Sequence, residues 1–141
     1  MRPSSLRPLR WLPVFVLLCA AWAAQAAPQV QTIWQLLDYI AVDYSAAVQG
    51  GQVVSDMEFQ EMQEFSATVA ERLAQLPDHP ARGGLVEQAG ALQAAIAAKS
   101  DPADVDRQAP ALADALLQAY PVPRGPEAAP ALAAAAALYQ Q

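Results

Sequence analysis

The chain has 141 residues, with fourteen acidic against eight basic side chains, one histidine and one cysteine. That length supports one domain with a modest core. The acidic excess excludes a surface built for nucleic acid or for an anionic membrane, and the single histidine and cysteine exclude a metal site of the zinc-finger kind.

The first segment has the form of an export signal. Arg2, Arg7 and Arg10 precede an apolar run from Trp11 to Trp22, and Ala24-Gln25-Ala26 supplies a small-x-small motif. This pattern predicts a secretory signal peptide over residues 1–26, cut after Ala26. The run is shorter than the roughly 20 residues of a membrane-spanning helix; an uncleaved anchor is the alternative. Cys19 lies inside the run and follows Leu18 rather than a small residue, so it belongs to the signal. Three of the eight basic residues leave with it, and Ala27–Gln141 then carries five basic and fourteen acidic residues, a net charge of −9. The expected location is the periplasm. Cations or basic partners suit such a chain; the simpler alternative is that the acids keep an alanine-rich protein soluble.

Residues 27–120 read as a helical bundle. In the first helix, expected over Val30–Val48, apolar residues recur at three- and four-residue steps: Val30, Ile33, Trp34, Leu37, Tyr44 and Val48, widened by Leu36, Tyr39 and Ile40. This places Trp34 in the core. Gly50-Gly51 stops that helix. Ser55-Asp56-Met57-Glu58 is a capping box that opens the second. Met62, Phe65, Val69, Leu73 and Leu76 mark its inner face, and Pro77-Asp78-His79-Pro80 ends it.

A third helix is expected over Leu85–Lys99, led in by Gly83-Gly84. Ser100 or Asp101 caps a fourth, with Pro102 at its first position and Val105, Leu112, Leu116 and Tyr120 on its face. Pro110 falls inside this pattern and is expected to kink or break it. Residues 121–130 form a proline-rich linker, and a short further helix begins near Ala131. No stretch has the alternation of a strand. The fold expected is all-α: an antiparallel four-helix bundle after a signal peptide, then the linker and a short C-terminal helix.

The residues offer little to an enzyme. His79 stands alone between two loop prolines and is expected to be an exposed loop residue. No Glu-x-x-His pair for a di-iron bundle exists, no serine has a histidine partner in a motif, and no glycine loop cradles phosphate. The acids are the one chemical feature. Glu58, Glu61 and Glu64 step by three, about 60 degrees apart on a helix, and Asp38 and Asp43 lie on the preceding antiparallel helix. Like charges at that spacing repel, so a cation would relieve the repulsion; oxygen ligands suit hard cations, ferric iron included. Asp38, Asp43, Glu58, Glu61 and Glu64 are therefore the candidate metal-binding residues, and a solvated polar face is the alternative. Asp38 and Asp43 are about 140 degrees apart on an ideal helix, which makes a shared ion difficult.

Four segments carry a resemblance. Trp34-Gln35-Leu36-Leu37-Asp38-Tyr39-Ile40-Ala41-Val42-Asp43-Tyr44 and Glu61-Met62-Gln63-Glu64-Phe65 resemble the N-terminal region of bacterial Ftr-type iron permeases fused to a c-type cytochrome. Ala113–Pro123 is similar too, and Ala135–Gln141 resembles the helix that leads into the haem-attachment motif. The resemblance implies haem c, held by Cys-x-x-Cys-His, and a multi-span permease beyond it, with iron as the transported or bound ion. The Cys-x-x-Cys-His motif is not in this sequence, so no haem cofactor is expected within the chain. Residues 131–141 are then expected to begin a cytochrome c-like domain, and the chain to be a fragment of a longer product. The implied partners are the cytochrome and permease domains of the same or another chain. The resulting expectation is a non-enzymatic periplasmic domain that assists iron transport. The rival is a free-standing periplasmic bundle for protein interaction or cation buffering.

Overall fold

The structure is a computed structural model that describes residues 12–122, with side chains described from residue 26. The element order is α1 (Leu12–Ala47), β1 (Val48–Gln49), β2 (Gln52–Val53), α2 (Asp56–Gln75), α3 (Arg82–Ala97) and α4 (Pro102–Ala119). Each helix runs antiparallel to the next, and α4 returns to pack on α1, closing a ring of four. The predicted bundle is therefore the fold observed. The linker beyond Val122 and the C-terminal helix expected near Ala131 lie outside the described residues, as does the basic start of the signal segment.

The core has one rule. Val30, Ile33, Leu37, Ile40, Tyr44 and Ala47 are buried on α1, and Met62, Ser66, Val69, Leu73 and Leu76 along α2 and its end. Leu85, Ala89, Leu92 and Ile96 follow on α3, and Val105, Ala109, Leu112 and Leu116 on α4. Every one of these series alternates three- and four-residue steps; Ala113, also buried on α4, adjoins Leu112 beside the series. A mean period of 3.5 keeps one seam facing inward along gently supercoiled helices, the packing mode of antiparallel bundles. Ala89 and Ala109 let the neighbouring helices approach at those levels. Ser66 is the only buried polar residue described, and its hydroxyl donates to the Gln63 carbonyl at 3.0 Å.

Several expectations from the sequence need correction. Trp34 is not in the core: it is 39% exposed, and Tyr39 is 56% exposed. Both lie beside the 3.5-residue seam, not on it, so the widened apolar face of α1 is partly an outer face. α1 begins well before Val30 and carries Pro28 within it. A strand pair does exist: Val48 pairs with Val53 and Gln49 with Gln52 in a minimal antiparallel hairpin. Gly50 and Gly51 have φ of 57° and 74°, the positive values that a two-residue hairpin turn of this twist requires. The glycine pair thus turns the chain instead of simply ending a helix.

Pro110 does not break α4, which runs without interruption from Pro102 to Ala119. Pro110 is exposed, so water reaches the Asp106 carbonyl that loses its N–H partner, and the buried seam holds the helix on both sides. α3 starts at Arg82, with Gly83 and Gly84 inside its first turn, and ends at Ala97. Lys99 then takes a left-handed φ of 55°, and the Ser100 N–H donates to the Ala95 carbonyl at 3.0 Å, closing the helix end.

Candidate functional site: the acidic seams of α1

Tyr39 of α1 meets Phe65 of α2 with ring centroids 6.2 Å apart. Because the two helices are antiparallel, one turn toward the hairpin from this contact leads to Asp43 on α1 and to Glu61 on α2. Asp43 and Glu61 therefore share the α1–α2 seam. Asp43 is half-buried and Glu61 exposed.

The three-residue stepping of the glutamates carries them around α2 by about 60 degrees each. Glu58 is half-buried at the core's edge, and Glu61 and Glu64 turn progressively outward. The Glu64 carboxylate accepts a hydrogen bond from the Gln60 amide at 2.8 Å.

Asp38 goes elsewhere. It lines a cavity on the opposite flank of α1, between α1 and α4, together with Trp34, Pro110 and Asp114. The five predicted ligands are thus dispersed: Asp43 and Glu61 share one seam with Glu58 at its edge, Asp38 lies on the other, and Glu64 faces outward. Among the described residues, no group of three or more His, Cys, Asp or Glu side chains stands together in a way that could hold a metal ion.

The capping box forms on one side. The Glu58 N–H donates to the Ser55 hydroxyl at 3.4 Å, while the Ser55 N–H goes to the Ala47 carbonyl at 3.4 Å. The hairpin has taken the donor that the Glu58 side chain was expected to reach, which leaves that carboxylate without a capping duty. Asp101 is the cap of α4, its carboxylate accepting from the Ala103 N–H at 2.9 Å.

His79 is half-buried, not exposed as expected. Its Nδ1 accepts from the Ala81 N–H at 3.0 Å, and its ring lies 5.0 Å from that of Tyr120. Its carbonyl accepts from the Arg82 N–H at 3.0 Å. The histidine therefore shapes the entry to α3, which has no side-chain cap of its own. Only the prolines on either side of His79 signal this role in the sequence.

Two phenols pin the ends of the bundle. The Tyr44 hydroxyl donates to the Ser100 carbonyl at 2.9 Å, and the Tyr120 hydroxyl to the Pro77 carbonyl at 2.7 Å. Burial raises the Tyr44 pKa above the usual phenol range, and the Asp101 charge adds to this. Burial also raises that of Tyr120; Arg82 opposes the shift and Asp78 supports it.

These features define a four-helix bundle with acid-lined outer seams. The family model of the iron permease-associated 4-helix bundle domain matches residues 21–123, and the chain belongs to that family. The match covers α1 from residue 21 onward and all of α2, α3 and α4, including the Trp34–Tyr44 and Glu61–Phe65 segments. No curated protein and no solved structure matches the chain. None of the described helices is long and apolar enough to cross a membrane.

Proposed function

We propose that this bundle is the periplasmic domain of an iron-uptake permease system and assists delivery of iron to the transporter. The observation that carries the reading is the family match over residues 21–123, which coincides with the bundle itself. A c-type cytochrome and a permease, on the same or a partner chain, are the partners in this reading. Iron is cargo here, not a resident cofactor.

The chemistry proposed is weak and labile. Asp43 and Glu61 on the α1–α2 seam, flanked by Glu58 and Glu64, offer an incoming cation one or two carboxylates at a time, and water completes the coordination. A site without a third fixed ligand exchanges its ion readily, which suits a domain that passes iron onward. Asp38 lies on the other seam and is left out of this set.

Titration of the chain with ferrous and ferric iron tests the proposal, beside Asp43→Asn/Glu61→Gln and Asp38→Asn variants. Weakened binding in the double variant and unchanged binding in Asp38→Asn is the expected outcome. Equal binding by all three proteins, or binding by none, would leave these acids as a solvated face.

A further inference from the structure

The α1–α4 seam carries a second, different surface. Two cavities of about 240 Å³ and 110 Å³ lie along it and share Ala41 in their walls. Asp106 lines the first, and Asp38 and Asp114 the second; no basic residue lines either. Trp34 borders the groove, and the exposed stripe of α1 continues through Asp38 to Val42, which is 67% exposed. Pro110 lines the groove and has no N–H, so the Asp106 carbonyl one turn before it lacks its helical donor. Arg107, the nearest cation along α4, is paired with Asp104.

We infer that this groove docks a cationic amphipathic helix of another polypeptide. The seam from Trp34 to Ser45 extends about 17 Å, roughly three helical turns, the length over which a docked helix places anchors at i, i+3 or i+4, and i+7. Lysine or arginine side chains on such a helix meet Asp38, Asp106 and Asp114, and a guanidinium can lie on the Trp34 face. Apolar side chains between them cover Trp34, Ala41 and Pro110. Charge complementarity selects this occupant over the others. A second copy related by a twofold axis would set these carboxylates against themselves, and an anionic lipid surface would repel them. The inference does not depend on iron: the groove and the Asp43–Glu61 seam lie on opposite flanks of α1.

The test is a titration of the nitrogen-15-labelled chain with a synthetic Leu/Lys amphipathic helix, read at the Trp34 indole N–H signal. A Leu/Glu helix of the same length is the control. The Leu/Lys helix should move the Trp34 signal and the Leu/Glu helix should not. Two exposed ion pairs lost in Asp38→Asn/Asp114→Asn should weaken binding roughly three- to tenfold, while Glu71→Gln/Glu87→Gln, which removes as much charge from α2 and α3, should leave it unchanged. An unmoved Trp34 signal, equal weakening by both double variants, or equal binding of the Leu/Glu helix would overturn the assignment. So would self-association in sedimentation that shifts the same signal, or a like shift with anionic vesicles.

Discussion

The Tyr44 hydroxyl donates to the Ser100 carbonyl at 2.9 Å, a bond between residues 56 apart in sequence. It ties the end of α1 to the turn between α3 and α4. At the other end of the bundle the Tyr120 hydroxyl does the same for the turn between α2 and α3, through Pro77. Each bond satisfies a loop carbonyl that no helix serves. Tyr44→Phe keeps the ring and leaves the Ser100 carbonyl unpaired, so it should cost about 1–2 kcal/mol in a urea unfolding measurement. Tyr120 is more exposed, and Tyr120→Phe should cost about 0.5–1.5 kcal/mol. The sites share no partner, so the double variant should lose the sum of the two within about 0.5 kcal/mol.

The same phenols set an alkaline limit. Both have native pKa values raised above the usual 10.0, chiefly by burial. The folded state therefore favours the protonated phenol. This contribution is fully present below pH 10 and is lost as pH rises from there through the raised native values. Stability should be level with respect to these groups through neutral pH and fall above about pH 10. The fall should be shallower in Tyr44→Phe, as thermal unfolding across an alkaline pH series would show.

Ser55 caps α2 and Glu58 does not answer it, so the two halves of the capping box should separate in a mutational test. Ser55→Ala should cost about 1 kcal/mol. Glu58→Gln should change stability by less than about 0.5 kcal/mol. Equal losses would mean that the reciprocal arm forms in solution.

The bundle was legible because its signals were redundant. The capping serine, the hairpin glycines and the proline-bearing turn all marked helix ends independently of the apolar pattern. Trp34 and Tyr39 were misplaced because size and hydrophobicity suggested a core position, while burial follows the 3.5-residue seam. Alanine is the reverse case: Ala89 and Ala109 are core residues that composition alone could not separate from their exposed neighbours. The hairpin was missed because two-residue strands are too short to show alternation. For the acids, spacing along one helix was readable, but their division between two seams depends on which neighbour each flank of α1 meets. That is a property of the closed ring, not of any one segment.

The predicted cut after Ala26 bears on how α1 begins. Pro28 is interior to α1 as the whole chain folds, where it removes a helical hydrogen bond. In a chain that starts at Ala27, Pro28 stands in the first turn, where its missing N–H has no helical partner to lose. The first buried core residue described, Val30, follows directly. Intact-mass measurement of periplasmic material should therefore find a chain beginning at Ala27. A mass that retains residues 1–26 would show the segment to be an anchor.

Iron uptake itself is the most direct measure of what the bundle does. The experiment follows the initial rate of radioactive iron accumulation in iron-limited cells of the native host. It compares cells that lack this chain with cells complemented by the wild-type protein or by Asp43→Asn/Glu61→Gln. Loss of the chain should lower the rate, the wild type should restore it, and the double variant should restore it only in part while accumulating to the same level as wild type. An uptake rate unaffected by loss of the chain would contradict a role in iron delivery.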